Sequence, residues 1–278
     1  MATLFVDRRN ASLDLENGAV VVRVNGERQG AAPLGPLDKV VVHGAAHVST
    51  RLLLRLAERG IGLLAIGAGA RSQAVSMSPP TTGDARIRIA QYALASDESA
   101  RARLAAQIIY AKTLSQRRVL LELAKDVGRR PKAMREAIDA IDRTIERLEK
   151  YPDIERAQLR GIEGATARAY FAGVGAILPP ALGFTGRNRR PPRDPFNVCL
   201  SLGYTLLLSD AVKATRTAGL DPMIGLLHDL TPGRDSLALD LCEPVRPLVD
   251  EWAVKLFTQH SLRADAFSTS RGGGCRLG

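Results

Sequence analysis

The feature that most constrains the fold of this sequence is a change of pattern near residue 78. The preceding part contains short apolar runs at residues 3–7, 19–24, 39–43 and 61–66. Short runs of this kind, separated by turn residues, are typical of β-strands. The following part instead shows apolar residues at helical spacing over much longer stretches. The chain therefore has two parts that must fold by different rules.

The boundary between these parts has the composition of a linker. Residues 77–83 read Met-Ser-Pro-Pro-Thr-Thr-Gly, which interrupts both kinds of regular structure. The sequence thus predicts an α+β multidomain protein. It consists of a small N-terminal mixed β domain at residues 1–77, a linker at residues 78–84 and a larger, mainly α-helical domain at residues 85–278.

Turn and capping residues refine the prediction for the N-terminal part. Asn17-Gly18 and Asn25-Gly26 each stand where a hairpin requires a positive φ, and the first lies between two clear strands. Ser49 can cap a helix over residues 50–59, because its hydroxyl can accept a hydrogen bond from a backbone N–H of the first turn.

The second part is predicted to be helical almost throughout. The predicted helices span residues 85–96, 98–123, 131–150, 153–176, 195–217 and 236–259. Pro244 and Pro247 remove N–H groups within the last of these, so we expect that helix to bend there.

Charge and aromatic content indicate the kind of partner. The 278 residues carry a net charge of +10, and only 4% are aromatic. A basic surface favours polyanions, since neutralising phosphates releases condensed counterions. The low aromatic content argues against modules that stack single-stranded bases. We therefore expect a protein that contacts nucleic-acid backbones, as in double-stranded DNA.

The sequence also indicates where the protein works. Its longest apolar runs are far shorter than the ~20 residues of a membrane span, and no export signal is visible. The three cysteines are far apart and form no pair typical of a disulfide or zinc site. We expect a cytoplasmic protein without a membrane partner.

Four side chains of the helical part can carry chemistry: Glu163, His228, Asp240 and Glu243. Each also has an ordinary structural interpretation. Glu163 can be a solvent-facing helical residue, although small neighbours leave its helix face open. His228 can be a satisfied core imidazole. Asp240 and Glu243 share one helix face, and Arg246 can neutralise that pair.

The alternative interpretation is a metal site. Glu163, His228 and Glu243 form a mixed set of carboxylates and imidazole, which suits Mg²⁺ or, because of the imidazole, Mn²⁺. Such an ion can polarise a phosphodiester and activate a hydroxyl nucleophile. Because the three residues lie on different elements, spacing alone does not decide between the interpretations.

Basic and polar side chains elsewhere suggest a DNA surface. The loop at residues 187–193 is the densest basic segment, and arginine binds phosphate well. The same composition is equally typical of a solvated loop that binds nothing. The residues that we assign to DNA contacts are Arg168, Arg187, Arg189, Arg190, Arg193 and Arg246. Tyr170, Asn197 and Tyr204 are further candidates, with helix packing as the alternative.

Motifs in a fixed order carry a family resemblance. In the N-terminal part they are Val40-Val41-Val42-His43-Gly44, residues 49–53 and Gly60-Ile61-Gly62. In the helical part they include Gly161-Ile162-Glu163-Gly164, Asp194-Pro195-Phe196-Asn197 and Leu202-Gly203-Tyr204. The most specific are Gly219-Leu220-Asp221-Pro222 before His228, and the segment SLALDLCEPVRP at residues 236–247. Together they resemble the CRISPR-associated spacer-acquisition integrase family, the catalytic subunit of CRISPR adaptation, over nearly the whole chain.

The resemblance implies a function for the candidate residues. Glu163, His228 and Glu243 would hold Mg²⁺ or Mn²⁺, with Asp240 as an essential second acidic group. The 3′-hydroxyl of a captured DNA fragment would then attack a phosphodiester of the CRISPR repeat. The resemblance further implies a homodimer formed through the β domain and a small ferredoxin-like partner subunit. Residues 270–277 resemble a late segment after which other family members usually continue.

Two other functions stay open at this point. One is a catalytically silent DNA-binding scaffold, in which the acidic residues only neutralise Arg246 and its neighbours. The other is a metal-dependent nuclease that acts on branched DNA outside CRISPR. The joint presence of Glu163, His228 and Glu243 favours an enzyme over the scaffold, and only the resemblance favours the integrase over the nuclease.

Overall fold

A computed structural model describes residues 2–67, 73–77, 84–128, 130–151, 154–188, 191–269 and 273–277. The chain divides into two compact units. One comprises Met1–Gly83 with Arg216–Gly219, and the other comprises Asp84–Thr215 with Leu220–Gly278. Residues 78–83 of the predicted linker lie outside the described residues.

The described N-terminal part of the first unit, residues 2–67 and 73–77, forms two mixed four-stranded sheets and one helix. Its elements are β1 (Ala2–Asp7), β2 (Ala11–Glu16), β3 (Ala19–Val24), β4 (Glu27–Pro33), β5 (Leu37–His43), β6 (Ala46–Val48), α1 (Thr50–Glu58), β7 (Gly62–Ile66) and β8 (Ala74–Met77). The sheet orders are β1-β5-β7-β8 and β4-β3-β2-β6. Parallel pairs (β1 with β5, β5 with β7, β2 with β6) stand beside antiparallel ones, so each sheet is mixed.

Both predicted hairpin turns are confirmed. Asn17-Gly18 connects β2 to β3, and Asn25-Gly26 connects β3 to β4. All four residues have φ between 47° and 86°, which is the region that asparagine and glycine tolerate best. Strand β4 itself was not predicted, because its sequence ERQGAAP is polar and mostly exposed. Its backbone pairing, and not an apolar face, makes it a strand.

Helix α1 begins as predicted and closes the core of this unit. The Ser49 hydroxyl accepts a hydrogen bond from Leu52 N at 3.2 Å and donates one to Asp14 at 2.6 Å. Leu52 and Leu56 are fully buried against the strands. An amphipathic helix therefore packs its apolar face against the strands, as the sequence pattern indicates.

The second unit is helical, which confirms the predicted fold class. Its helices are α2 (Ala85–Ser96), α3 (Glu98–Asp126), α4 (Lys132–Lys150), α5 (Arg156–Gly175), α6 (Pro195–Thr217), α7 (Ser236–Cys242) and α8 (Arg246–Thr258). A short hairpin of β9 (Phe267–Thr269) and β10 (Cys275–Leu277) follows. The main core collects one face from each of α3, α4, α5, α6 and α8, as shown by Leu120, Ile141, Val174, Phe196 and Phe257.

One helix prediction was wrong in extent. Residues 236–259 do not form one helix, since α7 ends at Cys242 and α8 begins at Arg246. The interruption falls at the acidic pair, where a bend was expected. Pro244 lacks the N–H that a continuous helix would use, and Pro247 occupies the first turn of α8, where that loss costs nothing.

Helix α6 is long and apolar enough to cross a membrane by length and composition alone. That test is weak support for a span, because core helices pass it as well. Phe196 and Leu200 of this helix are fully buried in the main core. About 33% of its most apolar stretch is buried in this way, so packing accounts for part of its apolar composition.

Candidate active site

A cleft of about 630 Å³ lies within the helical unit. Its lining includes Lys112, Glu163, Arg168, Arg187, Tyr204 and Arg246. Small residues on α5 keep one wall open, as expected: a Cβ added at Gly164 would meet nothing within 4 Å. Further along α5, a Cβ at Gly173 would lie 2.9 Å from the Ala137 Cβ, so this glycine lets α4 pack closely behind that wall. Helix α5 thus presents Glu163 to an accessible space.

Two of the predicted carboxylates meet at one cation. The Lys112 Nζ donates to Glu163 Oε1 and to Glu243 Oε2, the latter at 2.6 Å. Glu163 comes from α5, Glu243 follows α7, and Lys112 lies in α3. Glu243 and Lys112 are buried, whereas the Glu163 side chain is 32% exposed. Three separate elements therefore bring opposite charges together at the wall of the cleft, where Lys112 and Glu163 line it.

Arg246 completes the surroundings of Glu243. Its guanidinium donates to Glu243 Oε1, so each oxygen of this carboxylate contacts a different cation. Burial by itself would raise the pKa of Glu243, but the Lys112 ammonium and the Arg246 guanidinium outweigh it and lower that pKa. His228 is close enough to lower the pKa of Glu243 further. The carboxylate is consequently held in its ionised form.

Asp240 fixes the position of His228. Its Oδ1 accepts hydrogen bonds from the His228 backbone N at 3.0 Å and from His228 Nδ1 at 2.6 Å. Its Oδ2 accepts from Leu226 N at 2.6 Å and Leu227 N at 2.9 Å. Asp240 is completely buried, so these four donors replace water. Because Nδ1 donates to Asp240, Nε2 is the ring nitrogen left to bind a ligand.

The loop that carries His228 is fixed from several helices. Arg156 of α5 donates to Asp229 Oδ1 at 3.0 Å and to the Leu227 carbonyl oxygen at 3.4 Å. Arg101 of α3 donates to the Gly225 carbonyl oxygen at 3.3 Å. A Cβ at Gly225 would lie 2.6 Å from the Ser236 Cβ, so only glycine fits there. These contacts give an otherwise irregular segment one conformation.

The donor types at this site fit a divalent ion, although their present placement does not form a complete ligand set. Carboxylate oxygens of Glu163 and Glu243 already converge on one position, and a metal-binding histidine usually donates its other ring N–H to a carboxylate, as His228 does to Asp240. Within the described ranges, no three His, Cys, Asp or Glu side chains are placed to hold a metal ion together. Lys112 stands between the two glutamates instead.

The polar residues of the cleft surround Tyr204. The guanidinium carbons of Arg187 and Arg246 lie 5.1 and 5.2 Å from its ring centroid, and its hydroxyl donates to Asp250 at 2.5 Å. Burial raises the pKa of Asp250 to about 6, although the hydrogen bond from Tyr204 acts in the opposite direction. Two arginines are thus stacked on one aromatic ring beside the acidic pair.

Asn197 and Tyr170 are buried and hold neighbouring segments. The Asn197 side-chain oxygen accepts from Arg187 and from Asn188 N, and its nitrogen donates to Asp194 at 2.7 Å. The Tyr170 hydroxyl lies near Asp250 but outside regular hydrogen-bond geometry, and burial raises its pKa. Asn197 therefore positions Arg187, and Tyr170 belongs to the core.

The sequence around this geometry matches a known protein family over nearly its whole length. The family model described as "CRISPR associated protein Cas1" matches residues 4–278. The chain belongs to the Cas1 family. It is 33% identical over 278 residues to CRISPR-associated endonuclease Cas1 1 of Thermodesulfovibrio yellowstonii, covering 100% of this chain and 86% of that protein. It is 38% identical over 283 residues to CRISPR-associated endonuclease Cas1 2 of Rhodospirillum rubrum, with coverages of 99% and 81%.

Solved structures give the same fold. A casposase bound to an integration product superimposes with a TM-score of 0.84 at 22% identity, covering 100% of this chain and 78% of that one. A Cas6-RT-Cas1–Cas2 complex gives a TM-score of 0.79 at 25% identity, covering 100% of this chain and 30% of that one. The casposase likeness, at this identity, concerns the fold alone.

The basic residues assigned to DNA have different positions in this Cas1 chain. Arg168, Arg187 and Arg246 line the cleft, whereas Arg193 is exposed elsewhere on the loop. Arg189 and Arg190 lie outside the described residues. Arg246 also forms an ion pair with Glu243, as expected if it neutralises the acidic pair and does not only bind DNA.

Two residues of the site were not found from the sequence. Lys112 lies in a regular amphipathic stretch of α3, and Asp250 lies in α8, each with the spacing of an ordinary helical residue. One signal was available for Lys112: it lies on the buried face of α3 with Ile109 and Gln116, where a lysine is unusual unless paired.

Proposed function

We propose that this Cas1 chain is a divalent-metal-dependent DNA integrase and endonuclease. It joins the 3′-hydroxyl ends of a captured DNA fragment to a CRISPR repeat by transesterification. The observation that carries this proposal is the convergence of Glu163 and Glu243 on Lys112, which lines an arginine-rich cleft, with His228 oriented by Asp240 close to Glu243.

Glu163, His228 and Glu243 are the residues that we assign to Mg²⁺ or Mn²⁺. When bound, such an ion supplies Lewis-acid activation of the phosphodiester and stabilises the leaving oxygen. Asp240 uses both of its oxygens for Leu226, Leu227 and His228, so its role is to position the imidazole.

The chain's own residues then bind and orient the DNA. Arg168 and Arg187 line the cleft and supply guanidinium groups for backbone phosphates on either side of the scissile bond. The 3′-oxygen forms the new phosphodiester bond while the bond to the leaving 3′-oxygen of the repeat breaks. One diester is exchanged for another, so the strand transfer needs no external energy source. The proton of the attacking hydroxyl is transferred to solvent, and the leaving oxygen takes one up.

The assembly follows from the family likeness. We propose a homodimer formed through residues 1–77, acting with a small ferredoxin-like adaptation subunit in the cytoplasm. A solved Cas6-RT-Cas1–Cas2 complex contains this fold beside a Cas2 subunit, which supports the partner subunit. A solved casposase bound to an integration product has the same fold, which is compatible with strand transfer as the proposed reaction class.

A strand-transfer assay tests this function. Purified protein is incubated with a duplex carrying 3′-hydroxyl ends and a plasmid containing a CRISPR repeat, in Mn²⁺, in Mg²⁺ or in excess chelator. We expect His228→Ala and Glu243→Gln to lower the rate by more than about 100-fold, since even loss of an outer-shell partner costs about 10–100-fold. Both variants should still bind the duplex.

His260→Asn is a matched control in the same unit. His260 is exposed with φ 58°, a conformation that asparagine tolerates, so this variant should retain wild-type activity. Full activity of His228→Ala, or of the wild type in chelator, would contradict the metal assignment. Duplex binding without any product would indicate the scaffold, and cleavage of branched DNA without joining would indicate the nuclease.

A further inference from the structure

We propose that Lys112 is the built-in cation of the acidic site. Its ammonium occupies the position between Glu163 and Glu243 until a divalent ion displaces it, and it thereby sets the affinity of the site for metal. This inference rests on the proposed function, because it takes those two glutamates as metal ligands.

The geometry of Lys112 supports this role. One nitrogen contacts an oxygen of each glutamate, and the side chains of Lys112 and Glu243 are only 9% and 4% exposed. A buried carboxylate with a second, partly exposed carboxylate at the same ammonium is stabilised by the positive charge between them. In the structure that charge comes from the chain itself.

The ammonium and a divalent ion cannot occupy the position together. Glu243 contacts Arg246 through Oε1, and its Oε2 shares the Lys112 ammonium with Glu163, at 2.6 Å from Nζ. A metal ion that binds Glu163 and Glu243 must therefore replace the ammonium. Lysine is suited to this exchange, because its stem is flexible and its charge needs no fixed plane.

The cleft offers the displaced ammonium a destination. Lys112 lines the cleft together with Gln116, one turn further along α3, and the cleft extends from the acidic pair to Arg168 and Arg187. A rotation of the side chain thus moves the amine from a buried ion pair to a space where water or a DNA phosphate can solvate it.

Lysine labelling of the wild-type protein tests the displacement directly. The full chain is treated with an amine-reactive reagent in chelator and in saturating Mn²⁺, without DNA, and each lysine is quantified by mass spectrometry. We expect labelling of Lys112 to rise at least threefold in Mn²⁺. Lys255 is the internal control: it also bridges two carboxylates, Glu251 at 2.8 Å and Asp126 at 3.2 Å, and its labelling should not change.

Metal titration of variants tests the effect on affinity. We expect Lys112→Met to bind Mn²⁺ at least tenfold more tightly than the wild type in calorimetry, and to show a larger rise of Tm on adding Mn²⁺. Lys112→Arg, which keeps the charge, should bind no more tightly than the wild type, and Lys255→Met should match the wild type. A Lys112→Met protein that folds only with Mn²⁺ would also support the inference.

The outcomes separate this inference from the proposed function. Unchanged or weaker Mn²⁺ binding by Lys112→Met, with unchanged labelling of Lys112 in a wild type that binds Mn²⁺, would overturn the inference and leave the metal assignment intact. If Mn²⁺ binds neither protein, or if Glu243→Gln does not reduce its binding, the metal assignment fails and the inference fails with it.

Discussion

Replacing Asp240 by asparagine tests how the site holds its imidazole. Asp240 is fully buried and accepts four hydrogen bonds, two at each oxygen. An asparagine of the same shape has one oxygen and one nitrogen, and the nitrogen can only donate. Two of the four donors must therefore face a donor, whichever way the amide is oriented.

Both orientations are costly. If the amide nitrogen faces Leu226 and Leu227, two buried N–H groups lose their acceptor, at about 1–3 kcal/mol each. If it faces His228, the backbone N–H loses its acceptor, and Nδ1 must become the acceptor of the ring. The proton then sits on Nε2, which can no longer bind a metal ion. The unfolding free energy should fall by about 2–6 kcal/mol in the first orientation and by about 1–3 kcal/mol in the second, which corresponds to a Tm lower by roughly 2–20 °C for a unit of this size.

Thermal denaturation and Mn²⁺ calorimetry provide the assay. We expect Asp240→Asn to lose stability by that amount and to bind Mn²⁺ about 10–100-fold more weakly. Asp229→Asn is the matched control: Asp229 follows His228 directly but is exposed, so its loss should cost less than about 1 kcal/mol. If Asp240→Asn were as stable as Asp229→Asn and bound Mn²⁺ normally, Asp240 would not position the imidazole.

Two further predictions concern the surroundings of the site. Gly225→Ala places a Cβ 2.6 Å from the Ser236 Cβ and 2.8 Å from the His228 carbonyl oxygen, so it should lower the free energy of unfolding by about 1–3 kcal/mol. It should also lower the rate of strand transfer by more than the loss of folded protein accounts for. The control is Gly161→Ala, whose Cβ meets nothing within 4 Å: it should be neutral or slightly stabilising in the same denaturation and transfer assays. Burial raises the pKa of Asp250 from 3.8 to about 6, so the folded state binds the proton more tightly and stability should fall as pH rises through that interval. Asp250→Asn should therefore be more stable than the wild type at pH 7, by up to about 3 kcal/mol minus the contribution of the lost hydrogen bonds. This advantage should disappear below about pH 4. Chemical denaturation at several pH values measures it, and a difference in stability that does not depend on pH would contradict the assignment.

The fold was largely predictable because its elements follow local rules. Asn-Gly turns, the Ser49 cap and long apolar helical stripes each act within a few residues, so the sequence indicates them directly. Strand β4 and the short strand β6 were not predicted, since each is a strand only through pairing with a neighbour. The sheet orders depend on long-range pairing, which no local pattern expresses.

The candidate site was predictable only in part, for a related reason. Glu163, His228, Asp240 and Glu243 stand out because their neighbours are unusual: small residues, an apolar run or prolines. Their meeting point was not predictable, because α3, α5 and the segments around α7 bring the side chains together over separations of 51 and 131 residues. Lys112, at the centre of that meeting point, has unremarkable neighbours and went unnoticed.

Charge balance at the site links metal binding to DNA binding. Glu163, Glu243, Lys112 and Arg246 together carry no net charge. A divalent ion in place of the ammonium would meet a repulsion of about 8 kcal/mol if a +1 charge stayed about 4 Å away at an effective dielectric constant near 20, so the amine has to leave. Once it has moved into the cleft, the region carries two more positive charges than before, and a phosphodiester is the group that can neutralise them. Metal should therefore tighten DNA binding and DNA should tighten metal binding by the same factor, since coupling between two sites is reciprocal.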